Sequence, residues 1–254
     1  MKDLILEKIG EIEAKEKVQI LYACESGSRA WGFPSPDSDY DVRMIYVRPT
    51  DWYLTIYEGR DVIETPLVNN FDVGGWDLKK TLALIHRSNA VVWEWLQSPT
   101  IYSEKSGFRE SLLELANGYF SPKSAFHHYL SMAKKVNDDL GQGSQIKLKK
   151  LFYVIRPMLA ARWIAEGKGI PPMDLQSLIE SNYVADPAVE SINELVQMKS
   201  KLNESQIMDR NPTIDELIAD NFRVLEQKAE SIPSQKGTVD QLDNFFREVV
   251  HSWK

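Results

Sequence analysis

The chain has 254 residues, 43% of them hydrophobic, and a formal net charge of −7. That is enough apolar length for one large or two modest domains. The acidic balance excludes a protein that coats nucleic acid through global positive charge, so a polyanion would need a local basic patch. The single cysteine, Cys24, excludes an internal disulfide and suggests a reducing compartment. The N-terminal stretch MKDLILEKIGEIEAKEKV is charged throughout, and no apolar run nears the roughly 18 residues of a membrane span. The expectation is a cytoplasmic protein with no membrane partner.

Leu4, Ile5, Ile9 and Ile12 recur at helical spacing and predict an amphipathic helix over 2–15. The run VQILYAC, 18–24, reads as a buried strand. It ends in Glu25-Ser26-Gly27-Ser28, where small residues allow a sharp turn and a short helix over 28–32, with Ser28 near its cap. Two prolines make 33–38 a loop. Residues 39–47, DYDVRMIYV, form a second predicted strand stopped by Pro49. Residues 52–57 and 60–65, split by Glu58-Gly59, read as a hairpin. A strand over 68–73 is expected to break at Gly74-Gly75, before a helix over 77–86. Beyond that, strand signals stop. Helical patterns occupy 90–97, 108–117, 124–140, 144–166, 175–181, 187–202, 214–230 and 239–251. The reading is α+β, with a small mixed sheet and flanking helices in a front domain, 1–120, and an all-helical domain, 121–254. Ser121-Pro122 marks the boundary.

The chemistry concentrates between Cys24 and Val47. Residues two apart on a strand face one side, about 6.5–7 Å apart, so Asp39 and Asp41 aim two carboxylates at one spot while Tyr40 and Val42 face the core. Paired hard oxygens suit Mg²⁺. A third carboxylate on a neighbouring strand would permit a two-metal site. The Gly27-Ser28 turn offers backbone N–H groups to phosphate, and Arg29 adds charge. The plain alternative is a polar turn capped by aspartates. A calcium loop beginning at Asp37 fails, because Val42 stands where glycine is needed and Arg48 where glutamate is needed. No Walker loop occurs.

The order Gly-Ser, loop, Asp-x-Asp-hydrophobic resembles the polymerase-β-type nucleotidyltransferase superfamily. The fuller run GSRAWGFPSPDSDYDVRMIYV, with WYL, RDVIE, GWDLKK, EWLQSP and KKLFYVIRPMLAARW, is similar to its bacterial and phage branch, the YcgL or RlaP family, whose RlaP members are linked to RNA repair. The likeness spans roughly residues 20–165. It implies a polymerase-β-like fold in the front domain, a nucleoside triphosphate substrate (ATP foremost), Mg²⁺ or Mn²⁺, and nucleotidyl transfer with release of pyrophosphate. It also implies a third carboxylate beside the Asp-x-Asp strand. Asp72 matches best, Asp77 is the runner-up and a natural helix cap, and Glu64 follows. The acceptor is open: an RNA end, a protein or a small molecule. A nucleotide-binding module without catalysis, or a toxin-type transferase, are the rival readings.

In the helical half, 144–165 carries Lys147, Lys149, Lys150, Arg156 and Arg162 and no acid. Lys149, Tyr153 and Arg156 share a helix face, next to an apolar stripe of Leu148, Phe152, Ile155 and Leu159. They are candidates to grip a triphosphate and stack on a base, against the plain reading of a solvated basic face. The histidines have no metal spacing.

Overall fold

The computed structural model describes residues 1–68, 70–141, 143–181, 183–235 and 237–252. The elements run α1 (Lys2–Glu16), β1 (Gln19–Glu25), α2 (Gly27–Trp31), β2 (Tyr40–Val47), α3 (Thr50–Tyr53), β3 (Val62–Glu64), β4 (Phe71–Asp77), α4 (Leu78–His86), α5 (Ala90–Gln97), β5 (Ile101–Glu104) and α6 (Phe108–Asn117). There follow α7 (Pro122–Leu140), β6 (Gln145–Lys147), α8 (Leu148–Ala165), α9 (Leu175–Ile179), α10 (Asp186–Lys199), β7 (Ile207–Asp209), α11 (Pro212–Lys228) and α12 (Asp240–His251). This is an α+β chain. It divides into two compact units. The first comprises Met1–Gly27, Asp39–Phe120 and Lys236–Lys254, and the second Ser28–Ser38 and Ser121–Gln235.

The first unit is built on a five-stranded sheet in the order β3-β4-β2-β1-β5. β1 pairs antiparallel with β2 and β5, β4 runs parallel to β2, and β3 is antiparallel to β4. The α1 stripe of Ile5, Ile9 and Ile12 is buried against Ile20, Ala23, Val42, Met44 and Val73 of the sheet. Each such aliphatic side chain contributes about 1.5–3 kcal/mol on burial. Trp76 of β4 stacks on Trp95 of α5 with ring centroids 3.9 Å apart. β1 ends its pairing at Glu25, where the backbone turns into α2.

Three strand expectations are corrected. Residues 52–57 do not form the first arm of a hairpin. α3 opens there behind Pro49, and Ile56 and Tyr57 are 94% and 86% exposed. β-favouring residues make strands only where a pleated, half-buried surface receives them. The hairpin partner of β3 is instead β4, which runs through Gly74-Gly75 rather than breaking there. A Cβ on Gly75 would come within 3.1 Å of the Met44 Cβ and carbonyl oxygen on β2. The glycine marks a close approach of two strands. Of the expected strand over 68–73, Asn69 lies outside the described residues. β5 was not foreseen.

In the second unit α7 and α8 pack along one another, and Leu148, Phe152, Ile155 and Leu159 are buried in its core as the pattern implied. The unit also carries a two-stranded antiparallel ladder, β6 with β7. The 28–38 segment belongs to this unit, where Phe33 stacks on Phe152 at 4.7 Å.

Candidate functional site

The parallel register of β2 and β4 sets Asp41 directly beside Asp72. Neighbouring strands lie about 4.8 Å apart and residues in register share a face, so two carboxylates from distant parts of the sequence are brought together. Arg43, two residues past Asp41 and on the same face, lies between them. Its Nη2 donates to Asp41 Oδ1 at 2.9 Å and to Asp72 Oδ2 at 2.6 Å. Its Nη1 donates to the Asp72 carbonyl at 3.0 Å. Asp39 lies just before β2, and its charge reaches Asp41. Burial lifts the Asp41 carboxyl above its usual range. Arg43 pulls it back, and the like charges of Asp72 and Asp39 push it up again, with a net rise.

Two backbone features hold Asp41. Its N–H donates to Glu25 Oε1 at 2.7 Å, and its carbonyl accepts from Ser26 N–H at 2.8 Å. Glu25 is itself buried and accepts from the Tyr102 hydroxyl. Gly27 has φ +59°, and a Cβ there would stand 1.9 Å from Asp41 Oδ2. Glycine is required both by the left-handed backbone and by the carboxylate beside it. Glu25 and Arg43 were not singled out in the sequence. For Arg43 the signal was available, since it continues the alternation of Asp39 and Asp41.

Asp77 stands at the other end of β4, in register with Tyr46, and is 1% exposed. It caps α4 by accepting from Lys79 N–H at 2.8 Å and accepts from the Tyr53 hydroxyl at 2.8 Å. Burial raises its carboxyl. Glu64 is exposed and pairs with Arg60 at 2.5 Å. Neither sits beside Asp41. Cys24 is fully buried, which pushes its thiol up to about 12, the environment of an inert core residue. Among the described residues no group of three or more His, Cys, Asp or Glu side chains is disposed around one metal position. Nor is any helix there long and apolar enough to cross a membrane.

The second unit holds its own polar cluster, which contains Ser28, Arg29 and Lys149. The Ser28 hydroxyl donates to Ser38 Oγ at 3.1 Å, and Arg29 Nη2 donates to the Ser38 carbonyl at 2.8 Å. Lys149 pairs with Glu204 and lies 5.9 Å from the Tyr153 ring centroid. Tyr153 meets Trp31 edge-on at 5.5 Å. Arg156 does not join a solvated basic face. It is 2% exposed, donates from Nε to the Met173 carbonyl at 2.9 Å, and stacks over Trp31 at 4.5 Å. α8 is buried on most of its circumference, so a residue at the third position of that face is drawn inside.

Paired acids on adjacent sheet strands, following a Gly-Ser turn, accord with the polymerase-β-like nucleotidyltransferase class, and the family match places the chain in it. The chain belongs to the RNA repair pathway DNA polymerase beta family, RlaP, whose family model matches residues 1–248. It is 40% identical over 257 residues to the uncharacterized protein YcgL of Bacillus subtilis (strain 168), covering 100% of this chain and 98% of that one. The crystal structure of a nucleotidyltransferase-like protein from Exiguobacterium sibiricum 255-15 matches more loosely. There the identity is 15%, the coverage is 91% of this chain and 75% of that one, and the TM-score is 0.30.

Proposed function

We propose that this protein is a divalent-metal-dependent nucleotidyltransferase. It moves a nucleoside monophosphate from a nucleoside triphosphate, ATP foremost, to an acceptor and releases pyrophosphate. The observation that carries the reading is the Asp41–Asp72 pair in parallel register with Arg43 already drawn between the two carboxylates. The donor chemistry fits Mg²⁺ or Mn²⁺, because two hard carboxylate oxygen donors stand side by side on adjacent strands. Mg²⁺ needs only one or two carboxylates when substrate phosphates complete its shell. Asp41 and Asp72 would hold the metal, with Asp39 one alternation before Asp41 as the further candidate ligand, and the metal would neutralise charge building on the α-phosphate. Asp72, the more open of the pair, is suited to accept the proton of the attacking hydroxyl at Oδ1, since Oδ2 accepts from Arg43. In the second unit, Ser28, Arg29 and Lys149 are the groups suited to bind phosphate, with Gly27 next in the chain to Ser28. The family's description favours an RNA end as acceptor over a protein or small molecule, and a cytoplasmic, RNA-repair setting accords with it.

One observation favours a second reading, a nucleotide-binding module without catalysis. Arg43 already pairs with both carboxylates, where a metal would sit. Incubation with α-³²P-labelled nucleoside triphosphates, Mg²⁺ or Mn²⁺, and RNA, protein and small-molecule acceptors separates the two. The transferase reading expects label on one acceptor class and none from Asp39→Ala/Asp41→Ala. Equal labelling by that double variant, or no labelling by the native chain, refutes it.

A further inference from the structure

Within the second unit, Ser38 is the knot of the 28–38 loop. Its hydroxyl accepts from the Ser28 hydroxyl at 3.1 Å and from Ser35 N–H at 2.9 Å, and donates to Glu204 Oε1 at 2.9 Å. One donor and two acceptors exhaust what a hydroxyl offers. The Ser38 carbonyl takes Arg29. The other Glu204 oxygen, Oε2, accepts from Lys149, and Glu204 N–H donates to Asp37 Oδ1 at 3.0 Å. At the end of α10, Lys199 is 1% exposed, donates to Ser35 Oγ at 2.7 Å and lies 5.7 Å from the Phe33 ring centroid. So residues 199–204, in a region that the sequence motifs left unassigned, grip the loop at Phe33, Ser35, Asp37 and Ser38.

We propose that this segment is a clasp and that Glu204 is a positioning residue for nucleotide binding. It fixes Ser28 and Arg29 through Ser38, and Lys149 directly. The inference rests on the assignment of those three residues to the nucleotide. Charge alone argues the opposite effect. A carboxylate among groups meant for phosphate repels phosphate, so its removal should tighten binding. Where position dominates, removal loosens it. Charge-assisted hydrogen bonds hold donors in place more firmly than neutral ones, and loss of the Glu204 carboxylate removes two of them at once, from Ser38 and from Lys149.

The test uses the full chain, with calorimetric titration of ATP and Mg²⁺ and amide hydrogen exchange over 28–38 measured without nucleotide. Glu204→Ala is expected to exchange faster across the loop and to weaken ATP binding roughly tenfold, and Glu204→Asp to recover part of both. Ser38→Ala, which removes one oxygen from the same node, should reproduce the effect and carries the test if Glu204→Ala fails to fold. Unchanged exchange in the folded variants overturns the clasp. Faster exchange with unchanged or tighter ATP binding overturns the positioning role. A native chain that binds no ATP overturns the nucleotide assignment, and the role of Glu204 with it. That failure is separately visible, because exchange requires no ligand.

Discussion

Gly27→Ala is the sharpest perturbation of the acid pair. The added Cβ would lie 1.9 Å from Asp41 Oδ2 and 2.7 Å from its Cγ, so the carboxylate has to rotate away. Rotation separates it from Arg43, which holds it at 2.9 Å. A partly exposed pair of this kind is worth about 0.5–1 kcal/mol. The left-handed backbone at φ +59° adds about 1–2 kcal/mol for a residue with a Cβ. The sum is about 1.5–3 kcal/mol of stability, read as a lower urea midpoint at unchanged slope. A displaced carboxylate should also cost label transfer on the order of 100-fold. The cycle with Asp41→Ala isolates the steric part. Without the carboxylate, Gly27→Ala should cost only the backbone share, about 1–2 kcal/mol. Equal costs in both backgrounds would refute the argument that Gly27 is glycine because of Asp41.

Arg43→Gln leaves two carboxylates facing each other and should lower stability by about 1–2 kcal/mol in urea at low salt. Mn²⁺ should then raise the melting temperature of this variant more than that of the native chain, and an equal rise would contradict competition between the guanidinium and the metal. Asp77→Ala loses the α4 cap and leaves the Tyr53 hydroxyl with its Arg48 N–H donor but no acceptor, so about 1–2 kcal/mol should be lost in chemical denaturation with label transfer intact. Asp72→Ala should do the reverse, and transfer surviving it would remove Asp72 from the site. The Glu166 carboxyl is held below its usual value of 4.5 by hydrogen bonds from Lys228 and, against the effect of burial, from Arg162. A depressed folded value stabilises above the unfolded one. Glu166→Gln should therefore cost about 1 kcal/mol at neutral pH, with the difference closing as pH falls below 4.5 through the folded value. A gap that persists in acid would show that shape, not charge, sets it.

The residues of the proposed site were more legible than the strands that carry them. Asp39 and Asp41 could be placed from local pattern, because a loop entering an apolar run needs only neighbouring residues to be recognised. The helices over 90–97 and 108–117 were read to the residue, since their capping and periodicity are local as well. β4 and β5 were harder. The glycines of β4 look like a break until Met44 is seen beside them, and β5 is four residues whose pairing with β1 supplies the order. Arg156 could not be placed from its helix face alone, because the partner that buries it, Trp31, lies 125 positions away in the chain (156 − 31). Lys199 and Glu204 are invisible for the same reason. A buried lysine announces itself only once Ser35 and Phe33 are known to face it.

The acid pair also acts as a checksum on folding. Asp41 and Asp72 meet only because β4 lies on β2 in one alignment. Side chains alternate across a sheet, so a slip of a single residue would send Asp72 to the opposite face while leaving most backbone pairing intact. A misaligned chain could keep its secondary structure and bury much of its core, yet present Asp41 to Phe71 or Val73. Under the proposed metal role, divalent-ion binding would then count correctly aligned molecules in a refolding mixture, a quantity that circular dichroism cannot see.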